Sequence, residues 1–81
     1  MELKDTVKFM KSDDFKDRFK AEYYQLKIRY EKLCEMIVRY EAGTLKFKPK
    51  CSINLLKEQA EAMEDYLDRL ELRAELEGIK L

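Results

Sequence analysis

The stretch FKDRFKAEYYQLKIRYEKLCEMIVRY, residues 15–40, carries a long helical pattern of apolar residues. Apolar side chains recur in it at intervals of four, four, three, four, three, four and three residues. This spacing indicates one face of an α-helix, and its later part follows a heptad repeat. The residues of this stripe are Phe15, Phe19, Tyr23, Leu26, Tyr30, Leu33, Ile37 and Tyr40. Ser12, with Asp13 and Asp14 after it, predicts the start of the helix, and Gly43 predicts its end.

A second stretch with the same periodicity follows a basic connecting segment. That segment contains Pro49 and three lysines, and Ser52 after it is a good N-cap. Apolar residues then recur at intervals of four, three, four, three and four before Gly78 ends the pattern. The residues of this second stripe are Leu56, Ala60, Met63, Leu67, Leu70 and Ala74.

The pattern predicts a single all-α domain spanning residues 1–81. Leu3, Val7 and Met10 add a short amphipathic helix ahead of the two long ones. The predicted elements are a short helix at about residues 2–11, a long helix at about 13–42, a loop at about 43–51 and a long helix at about 53–77. Because the loop is short, the long helices are expected to pack antiparallel as a helical hairpin.

Each long helix also carries apolar residues outside its stripe. These residues are Tyr24, Ile28, Cys34, Val38, Leu55, Ala62 and Tyr66. A lone hairpin cannot bury two apolar faces on each helix, and self-association is the simplest way to cover the second one. We therefore predict an oligomeric bundle.

Composition excludes most kinds of catalytic site. The chain has no histidine, and Cys34 and Cys51 have neither zinc-site spacing nor the pattern of a disulfide scaffold. We therefore expect a protein that is not an enzyme and has no metal site or cofactor. Lys plus Arg equals Asp plus Glu at 17 each, which argues against a nucleic-acid polymer as partner. No stretch resembles a signal peptide or a membrane helix, so we expect a cytoplasmic protein with no membrane partner.

The junction between the short and long helices combines aromatic and cationic side chains. Phe9, Phe15, Lys16 and Arg18 lie there, within a region whose 13 basic and 9 acidic residues (1–50) give a net charge of +4. An aromatic ring can stack on a nucleotide base while cations bind its phosphate. The alternative is that Phe15 begins the core stripe and that the charges form a solvated helix face.

Three further arginines are candidates for binding an anion. Arg29 lies on the flank of the first long helix, and Arg69 and Arg73 lie one turn apart on an otherwise acidic helix. A salt-bridge network, including Arg69 with Asp65, also explains this second pair.

Two segments carry a resemblance to a known family: SDDFKDRFKAEYYQLKIRYEKL, residues 12–33, and LLKEQAEAMEDYLDRLELR, residues 55–73. The most diagnostic residues of the second segment are Leu56, Gln59, Ala62, Met63, Tyr66, Leu70 and Arg73. Together the segments resemble the helical-hairpin domain of the phage anti-CBASS and anti-Thoeris signal sponges. The resemblance implies a non-enzymatic homo-oligomer, often a hexamer, with pockets between protomers. It would sequester cyclic di- or trinucleotides or cyclic ADP-ribose isomers in the host bacterial cytoplasm.

The resemblance also implies roles for individual residues. Phe15 matches an aromatic that stacks on a base, although its ring lacks the hydroxyl that is usual there. Arg29 matches a basic residue that faces phosphate, and Lys16 and Arg18 match polar positions beside the aromatic. Arg73 matches an arginine of a second pocket for larger cyclic trinucleotides. A coiled-coil structural or adaptor protein, whose second apolar face docks another protein, remains the alternative.

Overall fold

The computed structural model describes all residues, 1–81, and contains only helices and loops. Its elements are a 3-10 turn (Leu3–Thr6), α1 (Val7–Met10), α2 (Phe15–Glu41) and α3 (Ile53–Glu77). The helices α2 and α3 pack antiparallel, since the start of α2 lies beside the end of α3. The prediction of an all-α helical hairpin with a short N-terminal helix is therefore confirmed. The oligomeric bundle stays a prediction.

The start of α2 differs from the prediction by two residues. Asp14, rather than Ser12, is the N-cap, and its Oδ1 accepts a hydrogen bond of 2.9 Å from the Lys16 amide. Ser12 shapes the preceding turn instead: its Oγ accepts from the Asp14 amide at 3.1 Å and donates to Asp17 Oδ2 at 2.8 Å. Aspartate and serine cap about equally well, so the residue nearer the first helical turn takes the role. Ser52 caps α3 as predicted, accepting from the Leu55 amide.

Both long helices end at a glycine in the left-handed region, Gly43 with φ +74° and Gly78 with φ +69°. After Gly78 the chain turns back, and the Ile79 amide donates to the Ala74 carbonyl at 2.8 Å. This is the hydrogen-bond pattern of a Schellman motif, which brings the residue after the glycine against the last helical turns. Ile79, which lies beyond the predicted end of the helix, is consequently buried in the core.

The core lies along the seam between the two predicted stripes. It contains Phe19, Tyr23, Leu67, Leu70, Ala74 and Ile79, with Tyr24, Leu26 and Tyr30 packed partly against it. Leu70, at 1% exposed, is its most buried side chain. The two ends of the first stripe, Phe15 and Tyr40, are less well covered, at 48% and 41% exposed.

Three polar side-chain contacts join the two long helices across the seam. The Tyr23 hydroxyl donates to Glu71 Oε1 at 2.9 Å, and the Tyr66 hydroxyl donates to Glu22. At the other end, Lys57 Nζ lies 2.8 Å from Glu41 Oε2. This is the only ion pair between the two helices, although residues 1–50 carry a net charge of +4 and residues 51–81 a net charge of −4.

Part of the second apolar set is exposed. Tyr24, Ile28 and Cys34 are half-buried. Val38 and Leu55 remain 65% and 51% exposed, respectively. Neither long helix has the apolar stretch that a bilayer-spanning helix requires.

We expect Leu70→Ala to lower the free energy of unfolding by about 2–5 kcal/mol, because it removes buried methyl groups and leaves a cavity in the seam. The control is Glu75→Ala, an exposed residue of the same helix that forms no ion pair, which should change the free energy of unfolding by no more than about 0.5 kcal/mol. Urea denaturation of both variants measures the difference. Equal losses would contradict the position of the core.

Burial, together with the hydrogen bond to Glu71, raises the pKa of Tyr23 to about 12. The protonated hydroxyl therefore stabilises the fold fully below the unfolded pKa of about 10, and this contribution is lost as the pH rises through about 12. Subtracting the tyrosinate absorbance titration of Tyr23→Phe from that of the original protein should isolate a group ionising near pH 12. Glu71→Gln should move it toward 10. A difference curve already centred near 10 in the original protein would refute the assignment.

Candidate functional site

The N-terminal segment, residues 3–12, folds back over the side of α2 that does not face α3. Ala21 lies there and is only 2% exposed, although it is outside the stripe that packs on α3. Thr6 is fully buried at the same contact. Its hydroxyl donates to the Leu3 carbonyl at 2.7 Å and accepts from Gln25 Nε2 at 2.8 Å. Gln25 also contacts the Met10 sulfur, so one amide side chain holds the segment at two points.

This arrangement leaves a groove with a volume of about 420 Å³ between the N-terminal segment and α2. We call it the Arg18–Arg29 groove. It is lined by Met10, Arg18, Ala21, Glu22, Gln25, Leu26 and Arg29. The two arginines lie on the same face of α2, eleven residues apart, which is roughly 16 Å along the helix axis.

The two arginines of the groove have no carboxylate partner. Arg18 donates to the Ser12 carbonyl at 3.0 Å, and Arg29 makes no ion pair. Glu22, between them on the helix, instead accepts the hydroxyl of Tyr66 from α3. That hydrogen bond raises the pKa of Tyr66. Unpaired guanidinium groups in a groove are suited to phosphate, which they bind in a bidentate manner.

Phe15 and Arg73 lie at the end of the hairpin rather than in the groove. The Phe15 ring centroid is 6.2 Å from that of Phe19, and the Arg73 guanidinium lies 5.0 Å from the Phe19 centroid. Arg73 also pairs with Glu77 at 3.6 Å, so its charge is partly neutralised. Phe15 remains half exposed and precedes Arg18 by three residues, which makes the two side chains neighbours on the helix surface.

The other sequence-predicted residues lie away from the groove. Phe9 is half-buried under the ammonium of Lys8, which is 5.2 Å from its ring centroid. Lys16 is exposed and lines no groove. Arg69 donates to the backbone carbonyl of Asp65 at 3.0 Å instead of pairing with its carboxylate. Of the seven predicted residues, the structure therefore brings only Arg18 and Arg29 into one concavity.

Met10, Glu22 and Gln25 also line the groove, although they were not among the residues predicted from the sequence. Glu22 could have been found from spacing, because it lies four residues after Arg18 and seven before Arg29, on the same helix face. Met10 and Gln25 could not have been found in this way, because their contact joins residues 15 positions apart through a turn whose path the sequence does not reveal.

No group of three or more Cys, Asp and Glu side chains is arranged to hold a metal ion.

Thr6→Val should release the N-terminal segment while leaving the hairpin folded. The substitution keeps the shape of the side chain but leaves Gln25 Nε2 without its acceptor, at a cost of about 1–3 kcal/mol. We expect faster hydrogen exchange of the amides of Lys11 and Ser12, measured by mass spectrometry, and unchanged exchange in the middle of α3. Thr6→Ser should restore protection. Equal exchange in Thr6→Val and the original protein would show that the segment is held by other contacts.

The comparisons with known proteins give one result. The family model Sequestin matches residues 13–76, which include α2, the connecting loop and α3 but not the N-terminal segment. No curated protein and no solved structure matches the chain. Because the Sequestin match covers more than three-quarters of the chain, the protein belongs to the Sequestin family, the phage anti-CBASS and anti-Thoeris sponges for cyclic-nucleotide signals.

Proposed function

We propose that this protein is a non-enzymatic sponge that sequesters cyclic oligonucleotide or cyclic ADP-ribose-type immune signals and so counteracts bacterial anti-phage defence. The Arg18–Arg29 groove is the observation that carries the proposal, because two unpaired guanidinium groups, both from residues within the Sequestin match, line one concavity. A sponge acts by depletion, so it requires tight and reversible binding and no turnover. Its site of action would be the host cytoplasm.

The chemistry of the ligand fits the distribution of side chains. A cyclic oligonucleotide carries phosphodiester groups for which guanidinium is the preferred partner, and it carries bases that stack on aromatic rings. Arg18 and Arg29 would bind the phosphates. Phe15, half exposed beside Arg18, would supply a stacking face. Arg73, over the Phe19 ring at the same end of the hairpin, would contribute charge to a second pocket.

Self-assembly would complete the site. The groove is open on one side, and apolar residues outside the core are still exposed: Val38, Leu55, Tyr66, Leu72 and Leu76. We propose that copies of the chain, as a hexamer or a related oligomer, bury this surface and close the groove between protomers. The closed site would exclude water from the ligand's phosphates and slow the release of the ligand.

The test is a thermal-shift and calorimetric panel of cyclic dinucleotides, cyclic trinucleotides and cyclic ADP-ribose isomers. A ligand that binds only the folded state at 100 times its dissociation constant should add about 2.7 kcal/mol of stability. Arg18→Ala and Arg29→Ala should each lower the affinity about tenfold or more, because each removes a charge-assisted hydrogen bond worth about 1.5–3 kcal/mol. Phe15→Ala should weaken capture without unfolding the protein, since its ring is 48% exposed.

The matched control is Arg39→Ala, which removes an arginine of α2 that is already paired with Glu35 at 2.7 Å and lies outside the groove. It should bind like the original protein. Ligand released by heating the complex should be chemically unchanged, whereas cleaved product would mean an enzyme. If no cyclic nucleotide shifts the melting temperature and a heteromeric partner is captured instead, the coiled-coil adaptor becomes the better account.

A further inference from the structure

Glu22 is the one acidic residue that lines the Arg18–Arg29 groove. A carboxylate in a phosphate-binding groove opposes the phosphate, because like charges repel at short range. The common way to remove this penalty is an ion pair with the arginine one turn away. Glu22 and Arg18 have the required spacing of four residues, but they form no ion pair.

The partner of Glu22 is instead a neutral hydroxyl from the other helix. Tyr66 of α3 donates to its carboxylate and so restricts the orientation of this groove-lining side chain. An ionised carboxylate has about four acceptor sites and no donor. One hydroxyl therefore leaves most of this acceptor capacity free, and both arginines stay available for an anion. The groove thus presents two cations and one oriented acceptor.

We propose that Glu22 accepts hydrogen bonds from the base of the ligand and thereby selects guanine. This inference rests on the proposed binding of cyclic nucleotides in this groove. The Watson–Crick edge of guanine presents two adjacent donors, the N1–H and the exocyclic amino group, which match the two oxygens of a carboxylate. Adenine presents one donor beside the N1 lone pair, and that lone pair would face the carboxylate. The ligand class assigned is a guanine-containing cyclic dinucleotide.

The expected discrimination is set by this pair of hydrogen bonds. A bidentate contact between a side chain and a base edge discriminates against the wrong base by about 10- to 100-fold. Stacking and phosphate contacts are common to both bases and do not contribute to the ratio of affinities. That ratio therefore isolates the contact to Glu22 from any general loss of binding or folding.

The experiment measures the affinities of cyclic di-GMP and cyclic di-AMP by calorimetry. The original protein should bind cyclic di-GMP about 10- to 100-fold more tightly than cyclic di-AMP. Glu22→Gln keeps the size of the side chain but replaces one acceptor by a donor, and it should bring the two affinities to within about threefold of each other. Tyr66→Phe, which leaves the carboxylate without its positioning hydroxyl, should reduce the preference part of the way.

The matched control is Glu71→Gln, which makes the same change at the other tyrosine–glutamate contact, on the opposite side of the seam and outside the groove. It should keep the full preference for cyclic di-GMP. Equal binding of the two dinucleotides by the original protein, or an undiminished preference in Glu22→Gln, would overturn the role of Glu22 while the sponge function stands. Failure of every cyclic nucleotide to bind would overturn both.

Discussion

One apolar seam determines where everything else in this protein lies. Phe19 and Tyr23 of α2 pack against Leu67, Leu70 and Ala74 of α3, and their interlocking fixes both the separation and the register of the helices. The register in turn sets the polar contacts across the hairpin. It places the Tyr66 hydroxyl beside Glu22 and the Arg73 guanidinium over the Phe19 ring, although nothing local to those residues requires either contact.

The N-terminal segment is held differently, by polar groups and little apolar burial. Thr6 and Gln25 make its central contact, while Val7 and Met10 of α1 stay 42% and 53% exposed. Segments with few buried apolar contacts open at lower free energy than a core does. The groove wall formed by Met10 is therefore the least stable part of the site, and it lies outside the region that matches the Sequestin family.

The electrostatic character of the site follows from which charges remain unpaired. Seventeen basic and 17 acidic side chains cancel over the whole chain, but only four ion pairs form within 4.0 Å, and one of them joins the two long helices. Arg18 and Arg29 are among the unpaired cations. A chain with zero net charge can thus present a local cationic groove, because the contacts available to each side chain, and not the total charge, decide the local field.

The sequence alone predicts the helices, most of their boundaries and the faces that pack. Periodicity, the capping serine of α3 and the two glycines act through contacts within about four residues, so they can be read along the chain. It also pointed to Arg18 and Arg29, together with five candidates that do not line the groove. The positions of Phe15 and Arg73 at the end of the hairpin, of Ile79 in the core, and of Met10, Glu22 and Gln25 in one groove follow instead from the tertiary structure. Most of these outcomes depend on contacts between residues distant in sequence, and such contacts exist only once the seam has set the register of the whole hairpin.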